Sequence, residues 1–597
     1  RLKLIPVLTA LPTSDADVDT TFFTLTRYSN GNAVVLRDVS QYNALGEEMA
    51  RRTFEESGDY VVRDFRTKVT RRDGNLKASV GSGLAYVKGY RVENLAEVLL
   101  DIDPISNTSI DERSNQAVSF NYGGYLNVLD TANSGVVPID TFSTVTLQDG
   151  ASANTGTARV RNITDDKIFL FDIRLDGSNK ISSVEQIIGS SGVIPVASGS
   201  VLNEASNGSL IFDTGAFSLK STDNISLPVR EKRELTGLSG NTVIISSAVG
   251  EDFNVSNDDI LFVDASNQKI DVLSTSLSGA NNDLQIELAG TTSATATVYV
   301  NKRISDATPF TKTSVELYVK CTFANTDSTS SSKFNLGFPD VYEVVSITDA
   351  ANNDVTNSFK LRTNQKNNYY DHSYIEFIPG RPVPSDGDMT VQINAFKLND
   401  TSGDYFFTID SYPIGTGSGQ VATNKIQPFV SPSGAAYNLR DCVDFRPLVE
   451  PVAGATYTNA ASEGTAPTVS SSSTSVSIAP SFDPSNAILT PAHDTFGQLD
   501  YEFYLNRTDI VTIDSYGRTS IVKGQESENS VPSSVTGDQL KIAEIFVPGV
   551  PALTPEEAYA QNRKAYGVKV TAKGTKAYKM RDIEKIDRKV DALKYYV

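Results

Sequence analysis

The chain has 597 residues, with 53 Lys plus Arg against 72 Asp plus Glu and a formal net charge of −19. That length exceeds a single hydrophobic core and implies roughly three to five domains. The acidic balance argues against a nucleic-acid partner or an anionic-membrane binder, both of which need concentrated Lys and Arg. Two His, two Cys and no Trp leave little material for imidazole catalysis or metal ligation, so neither an enzyme nor a cofactor or metal site is expected.

The opening Leu2-Lys3-Leu4-Ile5-Pro6-Val7-Leu8 is too short and too broken for a signal peptide. A start at Arg1 is read as a processed end or as part of a longer polypeptide. No run approaches the ~18 apolar residues of a membrane span. Asn30-Gly31 and Asp73-Gly74 mark hairpin turns, and Asp38 with Gln41 predicts a helix start whose Tyr42, Leu45 and Met49 share one face to about Glu56. Residues 1–105 therefore form a mixed β/α domain ending at Asp101-Ile102-Asp103-Pro104. Residues 106–300 turn rich in Ser, Thr, Asn and Gly and predict one or two β-domains, inserted between more regular parts, with turns at Asp176-Gly177 and Asn207-Gly208 and alternation at Leu284, Ile286 and Leu288.

Strong alternation returns over 301–450. Val315, Leu317, Val319, Cys321 and Phe323 form one set, and Met389, Val391, Ile393 and Ala395 another, as in the half-buried strands of a sandwich. Residues 451–490 read as a low-complexity linker and 491–550 as a β segment, and 551–597 as a helical region. There Thr554, Pro555 and Glu557 form a capping signature with Gly567 beyond the end. A last helix from near Met580 carries Ile583, Ile586, Val590, Leu593 and Val597 at 3-4-3-4 spacing. These five are the candidate oligomerisation residues of a coiled coil; a helix packed on its own domain is the other reading. Fold class is thus mainly β: multidomain antiparallel sandwiches or barrels, a few helices and a C-terminal coiled-coil-like helix.

Few motifs carry chemistry. Gly81-Ser82-Gly83 lacks the third glycine of a dinucleotide loop, and Gly415-Thr416-Gly417-Ser418-Gly419 lacks the Lys of a phosphate loop, so a tight strand and a plain loop are expected. Asp371-His372 and His493-Asp494 each put a carboxylate beside an imidazole, but without a nucleophile the expectation is a His hydrogen-bonded at a turn or domain junction. Asp252, Asn254, Asn257, Asp258 and Asp259 could offer oxygens to Ca²⁺, but without EF-hand spacing they read as a solvated turn. The pairs Asp15/Asp17 and Asp101/Asp103 resemble glycosidase carboxylates only by the chance of an acidic chain. Cys321 and Cys442 lie 121 positions apart; two buried single thiols are expected, with one disulfide as the alternative.

Longer strings carry a family resemblance. They include Asn43-Ala44-Leu45-Gly46-Glu47-Glu48-Met49-Ala50-Arg51-Arg52-Thr53-Phe54, Ala85-Tyr86-Val87-Lys88-Gly89-Tyr90, Gly156-Thr157-Ala158-Arg159-Val160-Arg161 and Phe169-Leu170-Phe171-Asp172-Ile173-Arg174. Asn368-Tyr369-Tyr370-Asp371-His372, Asp404-Tyr405-Phe406-Phe407, Asp441-Cys442-Val443-Asp444-Phe445-Arg446-Pro447, Asp500-Tyr501-Glu502-Phe503-Tyr504-Leu505 and Met580-Arg581-Asp582-Ile583 follow in order. The set resembles large virion structural proteins of contractile-tailed bacteriophages, especially those of cyanobacteria, a domain family without defined activity. The resemblance implies a tail or baseplate component made in the host cytoplasm, with other virion proteins as partners and a homotrimer joined through the last helix. It also implies a longer helical or fibrous part after Tyr596. The alternative function is a tail fibre or receptor-binding adhesin that recognises host-surface glycan.

Overall fold

The computed structural model describes residues 41–573 apart from 123, 129–138, 191, 198–209, 216–217, 249, 254–259, 280–281, 330, 399–403, 405, 450–457, 460–489 and 562, together with 26–29, 32–35, 584–585 and 587–591. The protein is mainly β, and every pairing between its described strands is antiparallel. No described helix is long and apolar enough to cross a membrane.

The alternating segments fold as their period demands. Strand Lys312–Phe323 pairs with Gly387–Leu398, setting Cys321 opposite Met389, Val319 opposite Val391 and Leu317 opposite Ile393. All six side chains are buried. This four-stranded sheet packs through Phe323, Leu336, Phe338, Ile375 and Phe377 on a three-stranded sheet of Lys333–Pro339, His372–Phe377 and Phe359–Arg362, forming a sandwich. The segment read as a linker contributes Thr458–Asn459 to it, paired with Tyr318 and Leu317 of the same chain. Asp283–Leu288 buries Leu284, Ile286 and Leu288 in a small separate core. A six-stranded sheet between Tyr125 and Pro195 encloses another core.

An early and a late stretch of the sequence meet. Strands from Tyr60–Arg63 to Val98–Asp101 share a core with Arg507–Asp514 and Gln539–Val547, where Val69, Ala78, Val80 and Val87 pack with Val511, Ile513, Ile545 and Val547. The segments read as 106–300 and 491–550 are joined by the ladder of Ile110–Phe120 on Thr495–Tyr504, which in turn pairs with the 19-residue strand Ser218–Thr236. The region read as helical contributes strand Lys569–Ala572 to this end sheet.

Helix α1, Gln41–Ser57, forms where the sequence places it, but it docks by another face. Leu45 and Met49 stay 59% and 63% exposed, whereas Ala50 is buried against Gly89. A Cβ at Gly89 would overlap the Ala50 carbonyl, and its φ of 76° also favours glycine. Helix α2, Pro555–Ala560, has the expected capping box: Thr554 Oγ1 accepts the Glu557 N–H at 3.2 Å, and Glu557 accepts the Thr554 N–H at 2.9 Å. Gly567 ends a further short turn, Lys564–Tyr566, rather than α2 itself.

Candidate functional site

The densest collection of chemically capable side chains lies where the sandwich, the six-stranded sheet and the sheet of Ser218–Thr236 with Thr495–Tyr504 meet in one core. Strand Cys442–Asp444 and the residues after it bring Asp444 and Arg446 to the same face, two positions apart. Arg446 clasps Asp444 at 2.7 and 3.0 Å, and the Tyr370 hydroxyl donates to the same carboxylate at 2.6 Å. The guanidinium lies 4.3 Å from the Tyr370 ring centre and 4.4 Å from that of Phe429. Its remaining donors reach the Lys366 carbonyl at 2.8 Å and Gln365 Oε1 at 3.2 Å. Lys312, wholly buried, pairs with Asp340 at 2.8 Å, donates to the Tyr412 hydroxyl at 3.3 Å and sits 4.0 Å from the Phe407 ring centre.

Two cations and two carboxylates make this cluster electroneutral, and aromatic faces fill the space between them. Burial acts against the charged forms of Lys312 and Arg446, yet Asp340 and Asp444 outweigh it and both stay more basic than usual. Burial pushes the Tyr412 phenol up to about 12 and Tyr370 well above its ordinary range. A lysine held protonated and phenols held neutral offer neither base nor nucleophile at pH 7. The arrangement is suited to joining segments.

Similar pairs recur at other junctions. Arg507 grips Asp509 at 2.7 and 3.0 Å and reaches the Asp103 carbonyl at 2.5 Å, tying the early strands to the late ones. Arg71 holds Glu557 at 2.8 and 3.1 Å, so the capping carboxylate of α2 also fastens the N-terminal sheet. Arg440 donates to Ser218, Asp441 and Tyr566 at 2.9, 3.0 and 3.2 Å. Arg161 reaches the Asn368 carbonyl at 2.6 Å, and Arg174 pairs with Asp371 at 3.0 Å.

The sequence-predicted groups fall within this pattern or outside it. Asp371 does not orient the His372 ring: its oxygens accept from Arg174, from Asn364 at 2.9 Å and from the His372 backbone N–H at 2.8 Å. His493 Nδ1 accepts the Tyr122 N–H at 3.2 Å, and its ring centre lies 4.5 Å from that of Phe169; burial lowers its pKa. His493 therefore sits at a junction, as expected, while His372 is a buried residue at the start of strand His372–Phe377. Gly83 is a glycine because the Phe65 ring covers it, and Gly417 donates its N–H to Gln420 Oε1 at 2.9 Å, closing a loop.

Asp101 pairs with Lys77 at 2.9 Å, while Asp103 contributes its carbonyl to Arg507. Asp252 lies in strand Glu251–Phe253, and Asn254, Asn257, Asp258 and Asp259 lie outside the described residues, as do Asp15 and Asp17. Among the described residues no three His, Cys, Asp or Glu gather as metal ligands. Cys321 and Cys442 are free, buried thiols in different cores. Of the oligomerisation residues, Val590 is helical and 42% exposed, while Ile583, Ile586, Leu593 and Val597 lie outside the described residues.

The charged junctions were missed in the sequence, although a signal exists. Asp172/Arg174, Glu231/Arg233, Asp444/Arg446 and Arg507/Asp509 all put opposite charges two residues apart, which on a strand means one face.

The profile of a family described as a domain of unknown function, DUF4815, matches residues 5–152 and 432–597, more than half of the chain. The two matched segments contain the strands that share the end core. No curated protein and no solved structure matches. The chain belongs to the DUF4815 family.

Proposed function

We propose that this DUF4815 protein is a structural component of a bacteriophage tail or baseplate, acting by assembly with itself and with other virion proteins. The observation that carries the reading is the fate of its ionisable groups. Lys312–Asp340, Asp444–Arg446 and Arg507–Asp509 are closed into buried pairs, and Tyr370 on Asp444 and Arg507 on the Asp103 carbonyl extend two of them to remote segments, which suits a part that must hold its shape under load. The ordered resemblance to virion proteins of contractile-tailed phages supports the same role. Leu45 and Met49, exposed on α1 within one of the resembling strings, offer an apolar contact for another virion protein.

Two measurements test it. Antibody against the chain is expected to label the tail or baseplate of purified phage particles, and labelling confined to host material would overturn the reading. Light scattering of the chain with and without residues after Lys579 is expected to show a trimer reduced to monomer by truncation. A monomer in both forms removes self-trimerisation and leaves assembly through unlike partners.

A further inference from the structure

Two buried arginines of the second family-matched segment depart from the pattern of the other junctions. Arg446 and Arg507 each turn the Nε/Nη2 edge of the guanidinium on a carboxylate two residues away. Arg446 meets Asp444 at 3.0 and 2.7 Å, and Arg507 meets Asp509 at 2.7 and 3.0 Å. That edge is the fork that matches a carboxylate. At Arg440 and Arg563 it is incompletely used. These two side chains belong to residues only 7% and 3% exposed, yet neither Arg440 Nε nor Arg563 Nη2 has a hydrogen-bond partner.

Charge is out of balance at the same place. Arg440 Nη1 donates to Asp441 at 3.0 Å, to Ser218 at 2.9 Å and to the Tyr566 hydroxyl at 3.2 Å. The Tyr566 N–H in turn donates to the Arg563 carbonyl at 3.0 Å, so one residue touches both arginines. Arg563 makes no ion pair among the described residues, and its Nη1 reaches only Thr423 Oγ1 at 3.5 Å. Burial and the neighbouring charge of Arg440 lower its pKa to about 10, which leaves it protonated at pH 7. Both guanidiniums act on the one buried carboxylate, Asp441. Asp213, whose charge also reaches Asp441, is exposed, accepts the Gly215 N–H at 2.9 Å and pairs with neither arginine. One positive charge is therefore left inside the protein, where an unmatched ion is costly.

We propose that a single monovalent anion of halide size is held between Arg440 Nε and Arg563 Nη2. One negative charge completes the count. A spherical ion accepts from two N–H groups whatever their mutual angle, and positions this buried favour the smallest anion. Water would satisfy the two donors but leave the charge unmatched. The ion joins the turn Leu439–Asp441 to the stretch that follows α2, a link that no side chain of either segment provides on its own.

Crystals of the whole chain grown in sodium bromide test this directly. An anomalous peak is expected in contact with both guanidiniums; water at that position, or a peak touching only one of them, would overturn the proposal. In solution, replacing gluconate by chloride at constant ionic strength is expected to raise the melting temperature. Each tenfold increase in chloride corresponds to up to about 1.4 kcal/mol of stability, the linkage of one bound ion. Arg563→Met removes the buried charge, so the variant is expected to lose the chloride response and to melt no lower than the unaltered chain in gluconate. A variant that keeps the response, or an unaltered chain that shows none, would count against the ion.

Discussion

Asp444 serves three donors at once: the backbone N–H and guanidinium of Arg446, and the hydroxyl of Tyr370. Replacing it with Ala strands a buried cation, so Asp444→Ala is expected to cost about 3–5 kcal/mol in chemical denaturation, whereas replacing Asp444 and Arg446 together by apolar residues of similar volume is expected to cost less than the single change. Two further carboxylates respond to pH in opposite senses. Burial raises Asp441 to about 6, with Arg440 only partly offsetting it. The folded state then binds a proton more readily than the unfolded chain, so stability rises as pH falls from 7 through 6 toward the unfolded value near 4. Asp349 is lowered despite burial because the N–H groups of Asn353 and Ser385 hold its charge; its contribution is present above about pH 4 and is lost on acidification. Melting curves from pH 7 to 5 are expected to show a rise that Asp441→Asn flattens and Asp349→Asn leaves intact.

Secondary structure was largely legible at the scale of single elements because burial in strands follows a period of two. Val319 and Cys321 point inward with Val391 and Met389, as the alternation required. The capping box of α2 was legible for a similar reason, since Thr554 and Glu557 act within four residues of each other. Thr554→Ala is expected to cost about 1 kcal/mol, read in a thermal melt. The docking face of α1 was not legible. Spacing marked Leu45 and Met49 as its apolar side, but the contact is set by Gly89, whose missing side chain admits Ala50. A pattern within one helix carries no record of the hollow it enters. Leu45→Ser with Met49→Ser is accordingly expected to change folding stability by less than about 0.5 kcal/mol, as exposed substitutions do, while weakening assembly in a pull-down of tail proteins.

Over the whole molecule, the hidden information is which strands become neighbours. Gly497 pairs with Val118, and Asp103 faces Arg507 and Lys523, brought from beyond residue 500 only by the fold. Periodicity says that each strand has a buried side and is silent on its partner, so strands between residues 61 and 105 and the segment 491–550, read as separate, are joined in the structure by one core. The candidate junction was invisible for the same reason: Tyr370, Tyr412 and Lys312 acquire their meaning only when Asp340 and Asp444 arrive from other strands. Hydrogen exchange should report residues 76–80 and 540–547 opening as one cooperative unit. Ile545→Ala, a buried truncation worth about 2–5 kcal/mol, is expected to speed exchange in both stretches. Faster exchange in 540–547 alone would contradict the shared core.

That shared core sets a timetable for the ribosome. The strands between residues 60 and 105 leave the exit tunnel early, but the residues that cover them, Val511 to Val547, follow only after some 400 more have been translated, a delay of at least about 20 s at ordinary elongation rates. Until then their apolar faces need chaperone cover, and a chain cut short by a stalled ribosome never acquires the covering strands. Translation past Val547 thus becomes a condition for maturity: a product truncated before it stays exposed to proteolysis, because the strands that close the core are missing.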